Sequence, residues 1–195
     1  MLSGSGAFCR AFSDDPRLTL HAGLYAWAAG RFEAGPVLDV GCEYGVGLAL
    51  LNRANPGLQV FGCDLSREAL HVMHVLVESP PPTFQARAEV LPVASASLAG
   101  VCLFNLLHLL PDPVPTLREA RRVLRPGACI VLTLPTGTYL PPGWQGTPLQ
   151  PRLKRAVQGV FDRIEFPQHI EPRLAGLPPV MELGAGAPLL AALCC

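Results

Sequence analysis

The chain has 195 residues, which is enough for one domain with a substantial core. Half of its residues are hydrophobic and 15% are charged, a composition that excludes an intrinsically disordered chain. Its 15 basic residues balance 15 acidic ones, so the sequence has no electrostatic footprint for a nucleic-acid backbone and predicts no nucleic-acid partner. One group of arginines is spaced so that it surrounds the solvated side of a helix: Arg118, Arg121, Arg122 and Arg125.

The sequence predicts a cytoplasmic protein that does not enter a membrane. No apolar stretch approaches the roughly 20 residues that cross a bilayer, and residues 1–15 contain no apolar run of the kind found in a secretory signal. Seven cysteines are present, and none of them forms a CxxC pair. We expect small core residues in a reducing compartment, neither metal ligands nor disulfides, at Cys9, Cys42, Cys63, Cys102, Cys129, Cys194 and Cys195.

Short apolar runs alternate with helical patterns along the body of the chain, beginning with a predicted helix at 18–32. This alternation is the signature of βαβ units. It predicts an α/β fold, namely a Rossmann-like doubly wound, mostly parallel sheet with helices on both faces. The predicted parallel strands are 37–41, 59–63, 84–88, 98–104 and 128–134, and the helices between them are 46–52, 67–77 and 115–124.

The composition changes after the fifth predicted strand. Residues 135–151 contain five prolines and three glycines, which predicts a loop or lid. A helix at 152–158 and antiparallel edge strands at 161–166 and 189–194 are expected to follow. We interpret 1–195 as a single domain with an N-terminal helical segment at 1–36, a cofactor-binding core at 37–135 and a variable part at 136–195.

The turn after the first predicted strand has the features of a ligand site, because ligands bind at the carboxyl ends of the strands of an open parallel sheet. Gly41 permits a tight turn there, and Gly45 lets the backbone approach a ligand at a helix N-terminus. The turn lacks the G-x-G-x-x-G spacing of a dinucleotide site, which weighs against a nucleotide-dependent oxidoreductase. Asp64 ends the second strand about twenty residues further on, where ribose hydroxyls would lie.

Four segments in series resemble the motifs of class I S-adenosylmethionine-dependent methyltransferases. VLDVGCEYG resembles the first motif, and VFGCDLSREAL resembles the second, with Asp64 at the ribose-binding acidic position. The segments AEVLPVASASLAGVCLFNLLHLLPDP and REARRVLRPGACIVLTLP are similar to those around the fourth and fifth strands. The resemblance implies S-adenosylmethionine as the cofactor, bound by Asp39, Gly41, Gly45 and Asp64.

Three positions depart from the family pattern. Glu43 replaces a glycine of the first motif, and Arg87 replaces an acidic residue near the adenine amine. Ala99 replaces the aspartate of an S-F-D segment. The leading hypothesis is a methyltransferase that acts on a small-molecule acceptor. The departures keep a second hypothesis open, a non-catalytic relative that retains the fold as a binding or regulatory module.

A general base is the remaining element that the sequence suggests. His108 follows the fourth strand in an N-x-x-H segment that resembles the one near the cofactor in this family. The alternative is a histidine that is partly buried at a helix start. His169 and Glu165 lie in the variable part and are candidates for an acceptor pocket. The short tail leaves room for a small acceptor, a partner protein or a homodimer, and no metal site is predicted.

Overall fold

A computed structural model describes residues 16–76, 79–135, 149–167, 169–172, 174, 176–177, 181–183 and 189–195. The strands are β1 (Gly35–Val40), β2 (Leu58–Asp64), β3 (Thr83–Gln85), β4 (Leu98–Phe104), β5 (Leu124–Pro135), β6 (Ile164–Glu165), β7 (His169–Ile170), β8 (Met181–Glu182) and β9 (Leu189–Cys194). The helices are α1 (Pro16–Ala29), α2 (Val46–Ala54), α3 (Arg67–Leu76), a short 3-10 helix (Leu107–Leu109), α4 (Val114–Val123) and α5 (Leu149–Gln158).

One sheet of seven strands carries the fold, in the order β3-β2-β1-β4-β5-β9-β6. Strands β3, β2, β1, β4 and β5 are parallel, which confirms the five predicted parallel strands. Strand β9 is antiparallel to both β5 and β6, so the two predicted edge strands are confirmed as well. The strand order reverses between β1 and β4, and the carboxyl ends of these strands therefore border the crevice that binds ligands in such sheets.

Helices cover both faces of the sheet, as predicted. Because successive side chains of a strand point to opposite faces, Val37 and Leu38 of β1 belong to different cores. Helices α1, α2 and α3 cover one face, and α4 and α5 cover the other. Fully buried side chains of the first core include Leu24, Leu48, Leu51 and Met73, and those of the second include Leu103, Leu117, Ile130 and Leu132.

Several predicted boundaries differ from the structure. The first predicted helix, 18–32, is Pro16–Ala29, the fifth strand, 128–134, is Leu124–Pro135, and the edge strand at 161–166 is reduced to Ile164–Glu165. Strand β3 has three residues, whereas a strand was predicted at 84–88, because this polar edge segment is only half-buried and residue 86 begins a loop. Helix α5 begins at Leu149, so residues 149–151 of the predicted loop are helical instead. The rest of that loop from 136 to 148, and Val77 at the predicted end of α3, lie outside the described residues.

The prediction that all cysteines are reduced is wrong for one pair. Cys129 and Cys195 form a disulfide across a Cα–Cα distance of 4.4 Å. The cause is the register of the antiparallel pair, in which Ile130 lies opposite Cys194 and thereby brings the next residues outward together. The remaining cysteines of the described chain are buried thiols, as expected: Cys42, Cys63, Cys102 and Cys194. Cys9 lies outside the described residues.

The arginines of α4 and β5 bind neighbouring parts of the same chain. Arg121 donates to the carbonyl of Val160 and pairs with Asp162, and Arg125 pairs with Glu33. Arg122 pairs with Glu119 and donates to carbonyls of the loop between β3 and β4. These contacts give the cluster an intramolecular role. Within the described ranges, no helix is both long enough and apolar enough to span a bilayer.

Candidate functional site

A cleft of about 680 Å³ opens at the carboxyl ends of β1, β2 and β4. This volume lies within the range of about 300–1,000 Å³ that is typical of small-molecule sites. Of the four residues predicted to bind the cofactor, Gly41 and Asp64 line the cleft, whereas Asp39 and Gly45 do not. The structure thus places Gly41 and Asp64 at the surface of the cleft, and Asp39 and Gly45 are buried beside it. Their roles in cofactor binding stay predictions.

The turn between β1 and α2 depends on backbone conformations that favour glycine. Gly41 has φ 80° and Gly45 has φ 77°. A Cβ at Gly45 would also lie 2.2 Å from Sδ of Met73 on α3, so the contact between the turn and α3 requires glycine there. Glu43 has φ 46°, an uncommon conformation for a residue with a side chain, and that side chain is exposed in the cleft.

Asp64 joins this turn to the end of β2. Its Oδ2 accepts a hydrogen bond from the backbone N–H of Glu43 at 2.9 Å, and its Oδ1 accepts one from the N–H of Ser66 at 2.8 Å. Each carboxylate oxygen has two acceptor sites, so both oxygens keep capacity for a ligand hydroxyl. The two backbone bonds hold the carboxylate in one orientation at the cleft wall.

Asp39 lies beneath the turn and is almost completely buried. Its Oδ2 accepts a hydrogen bond from the hydroxyl of Tyr25 at 3.1 Å, while its Oδ1 is buried with no partner. Burial raises the pKa of Asp39 to about 7; the Tyr25 hydrogen bond opposes this rise, and the charges of Asp64 and Glu43 add to it. A cation bound above the turn would favour the ionised form of this carboxyl group.

Tyr25 reaches the cleft from α1 and was not predicted. Its ring packs against Phe104 with centroids 4.3 Å apart, and a Cβ added to Gly47 would lie 2.2 Å from its Cζ. His21 lies one helical turn earlier and also lines the cleft. Two polar side chains spaced i, i+4 on an otherwise apolar helix are a sequence signal that could have identified this face of α1.

His21 contacts the end of β4. Its Nε2 lies 2.7 Å from Nδ2 of Asn105, and burial lowers the pKa of the imidazole below its ordinary value. Asn105 also lines the cleft and has φ 50°. Thr133 of β5 donates from its hydroxyl to Oδ1 of Asn105 at 3.1 Å and accepts from the Asn105 backbone N–H at 3.0 Å. These three residues form a connected chain from the core to the cleft.

His108, the general base that the sequence suggested, does not lie at the cleft surface in the described structure. His108 lies in the 3-10 helix, is only 7% exposed, and is not one of the described residues that line the cleft. Its Nδ1 is buried without a partner, and burial lowers the pKa of the ring. His169 in β7 and Glu165 in β6 are likewise absent from the described cleft lining. Their proposed roles remain predictions.

The other two departures from the family pattern also have structural counterparts. Arg87 lines the cleft and pairs with Glu89 at 3.3 Å, so a carboxylate is present two residues beyond the position that lost one. Ala99 is buried in β4 on the core side, 3.3 Å from where a Cβ on Gly35 would be. It does not line the cleft, and its small side chain fits the packing between β4 and the start of β1.

Comparison with known proteins places the same segment in a family. The methyltransferase domain family matches residues 38–132. A protein of Mycobacterium tuberculosis named as a probable S-adenosylmethionine-dependent methyltransferase is 33% identical over 132 residues, which are 67% of this chain and 46% of that protein. The ubiquinone biosynthesis O-methyltransferase of Xanthomonas oryzae is 30% identical over 130 residues, covering 62% of this chain and 54% of the relative.

Solved structures share the fold over most of the chain. A methyltransferase of Haloferax volcanii in complex with its Trm112 activator covers 97% of this chain and 94% of its own, with a TM-score of 0.66 at 17% identity. An S-adenosylmethionine-dependent methyltransferase of Thermotoga maritima covers 96% and 97%, with a TM-score of 0.65 at 16% identity.

The chain spans about half the length of the mycobacterial relatives that it matches, 46% in the case of M. tuberculosis. The segment that the family matches, residues 38–132, runs from β1 into β5 and includes both Gly41 in the turn and Asp64 at the end of β2. The order of motifs, the parallel sheet with its switch point and the matching domain family agree. This chain therefore belongs to the class I S-adenosylmethionine-dependent methyltransferase superfamily.

Proposed function

We propose that the cleft binds S-adenosylmethionine and that the chain transfers its methyl group to a small-molecule acceptor. The observation that carries this proposal is the orientation of Asp64, whose two oxygens are fixed by backbone N–H groups and still have free acceptor sites at the cleft wall. A carboxylate held in this way at the end of β2 suits two ribose hydroxyls. Gly41 adds a close backbone approach beside it.

The charges around the cleft suit a cationic ligand. Asp64 lines it, Asp39 lies directly beneath the turn, and Arg87 is already paired with Glu89. When bound, S-adenosylmethionine supplies a methyl group on a sulfonium, an electrophile that needs little more than positioning toward its acceptor. The acidic residues then stabilise the positive charges of the ligand, and the fixed turn orients it.

An apolar rim supports a small organic acceptor. The described chain exposes few large hydrophobic side chains, and four of them line this cleft: Tyr44, Val46, Leu65 and Leu109. Such a rim lowers the cost of burying an apolar molecule and excludes water from the transfer step. The Xanthomonas relative is named for ubiquinone biosynthesis, which is consistent with an acceptor of this size and polarity.

Calorimetry with S-adenosylmethionine and S-adenosylhomocysteine tests the proposal. Wild-type protein should bind both, and Asp64→Ala should bind them about ten-fold or more weakly, because a charge-assisted hydrogen bond is worth roughly 1.5–3 kcal/mol. Asp162→Ala is the matched control, since this carboxylate is exposed and distant in sequence from the cleft residues. If neither ligand binds wild-type protein, the second hypothesis, a methyltransferase-fold binding module, replaces this one.

Partners and location remain part of the proposal. The complex of the Haloferax structure supports a protein partner, and a homodimer is the alternative that size-exclusion chromatography with light scattering would detect. The balanced charge supports the absence of a nucleic-acid partner. We also propose a cytoplasmic location, where the reducing environment acts on the Cys129–Cys195 disulfide. Alkylation of these thiols in intact cells tests that location, and a pair that resists alkylation contradicts it.

A further inference from the structure

The residues His21, Asn105 and Thr133 form a hydrogen-bonded chain whose direction can be deduced from donors and acceptors. Oγ1 of Thr133 accepts the backbone N–H of Asn105 at 3.0 Å, and its own proton is then directed to Oδ1 of Asn105 at 3.1 Å. The other amide atom of Asn105, Nδ2, can only donate. With the amide in this orientation, Nδ2 lies 2.7 Å from Nε2 of His21 and donates to it, so Nε2 accepts.

This direction fixes the tautomer of His21. A neutral imidazole that accepts at Nε2 carries its proton on Nδ1. A protonated ring would place an N–H at Nε2 against the N–H groups of Asn105, so the contact favours the neutral form. Nδ1 has no hydrogen-bond partner among the described residues. The side-chain atoms that are inaccessible to solvent and also lack a partner are Asp39 Oδ1, His108 Nδ1 and Thr116 Oγ1, and Nδ1 of His21 is not among them. His21 therefore offers an N–H donor to a cleft that it lines.

The backbone of Asn105 is held by the same neighbour as its side chain. Its φ of 50° lies in the left-handed region, which asparagine adopts more readily than other residues with a side chain. Its backbone N–H and its side-chain Oδ1 both contact Oγ1 of Thr133, a residue that is fully buried in β5. The orientation of the Asn105 amide is therefore set by the core of the protein.

We propose that His21 is an acceptor-binding residue that donates a hydrogen bond from Nδ1–H to an oxygen of the methyl acceptor, and that Asn105 and Thr133 are the positioning residues that set its tautomer. The favoured acceptor class carries a carbonyl, phenol or oxyanion oxygen. This inference deepens the proposed function and rests on it. A donor at this point binds and orients the acceptor oxygen, and no proton leaves His21 during transfer.

Long-range ¹H–¹⁵N spectroscopy of the full-length, histidine-labelled protein tests the tautomer without any cofactor. Wild-type His21 should be protonated at Nδ1. In Asn105→Asp the neighbouring atom becomes an acceptor, so the proton of His21 should move to Nε2. In Thr133→Val the amide loses its orienting hydroxyl, and the signals should report a mixture. A wild-type ring protonated at Nε2, or a tautomer that Asn105→Asp leaves unchanged, overturns the proposal.

Phenol serves as the probe of the acceptor site, titrated into protein saturated with S-adenosylhomocysteine. It should shift the Nδ1–H signal of His21, and His21→Gln should weaken its binding about three- to ten-fold, the value of one hydrogen bond. His74→Gln is the matched control, because His74 is bonded to Thr83 at 2.9 Å outside the cleft. Equal weakening in both variants, or no shift of His21 at any soluble phenol concentration, overturns the proposal. Loss of S-adenosylhomocysteine binding by wild-type protein would contradict the proposed function instead. The tautomer measurement uses no cofactor, so its result does not depend on that function.

Discussion

The hydroxyl of Tyr25 on α1 donates a hydrogen bond to Oδ2 of Asp39 at the end of β1, across 3.1 Å. Both residues are almost fully buried, and the bond joins helix α1 to strand β1 of the sheet. It gives one oxygen of a buried carboxyl group its partner, while the other oxygen has none. The cleft floor therefore depends on a helix that precedes the family motifs.

Tyr25→Phe should destabilise the protein by about 1–3 kcal/mol, because the change leaves both oxygens of Asp39 buried without a partner. Urea unfolding followed by circular dichroism measures this free energy. Tyr44→Phe is the control, since this ring is 55% exposed at the cleft mouth, and no change is expected. Equal stability of Tyr25→Phe and wild type would show that the hydroxyl contributes nothing to the fold.

Gly47→Ala should destabilise the protein by about 1–3 kcal/mol through overpacking. A Cβ there would lie 2.2 Å from Cζ of Tyr25, a rigid ring that cannot move without leaving Asp39. Gly159→Ala provides the control, because a Cβ at that position meets its nearest atom, a backbone carbonyl, at 3.4 Å. Thermal unfolding of both variants compares them, and equal melting temperatures would be inconsistent with the packing described.

Stability should fall as the pH rises from about 4 toward 7, because the pKa of Asp39 is raised to about 7 in the folded state. The unfolded carboxyl group loses its proton first, near its ordinary pKa of about 4, so the contribution is complete below that pH and is lost above the folded pKa. The rise in the pKa of Asp39 from about 4 to about 7 corresponds to at most roughly 4 kcal/mol in the free energy of unfolding.

Asp39→Asn should abolish this part of the pH dependence, whereas Asp162→Asn, at an exposed carboxylate, should retain it. The test is the difference between the unfolding free energies at pH 5 and pH 8, measured for wild type and both variants. The ionisable groups around Asp39 are Tyr25, Cys42, Glu43, Cys63, Asp64 and Cys102. A slope that is the same in wild type and Asp39→Asn would assign the pH dependence to others of this set.

Glu43→Gly should stabilise the protein by about 1 kcal/mol, because glycine adopts φ 46° without strain. It should also tighten S-adenosylhomocysteine binding several-fold by removing side-chain bulk from the cleft. Ala96→Gly is a matched control: Ala96 has φ 53° but does not line the cleft, so stability should rise without a change in affinity. Weaker binding of S-adenosylhomocysteine in Glu43→Gly would instead assign Glu43 an attractive role toward the ammonium group of the ligand.

Reduction of the disulfide should lower the melting temperature, since Cys129 and Cys195 are separated by 66 positions in the sequence. Closing a loop of this size is worth about 4 kcal/mol in the chain-entropy model. Differential scanning calorimetry with and without dithiothreitol measures the effect. The double variant Cys129→Ser/Cys195→Ser should show no response to the reductant, and a response there would point to another cause.

The parts of the fold that were predictable from sequence are those with local signals. Strand β4 was predicted at its observed bounds because its seven residues form one uninterrupted run suited to burial on both faces. The glycine turn after β1 predicted the end of the sheet at which the cleft lies. The roles of His21 and Tyr25 depend on contacts with residues 84 and 14 positions away, which periodicity does not encode. The Cys129–Cys195 pair likewise depends on the register of β9, which no local pattern specifies.

Pro135 at the end of β5 lies directly opposite Leu189 at the start of β9. The segment between them contributes β6 to the same sheet and has its two ends on adjacent strands, so these ends are already closed on each other. A change in the length of such a segment has a small effect on stability, because each doubling of the loop length costs only about 0.6 kcal/mol in closure entropy. Insertions and deletions in this segment can thus be accommodated while the strands that hold the cleft floor keep their positions.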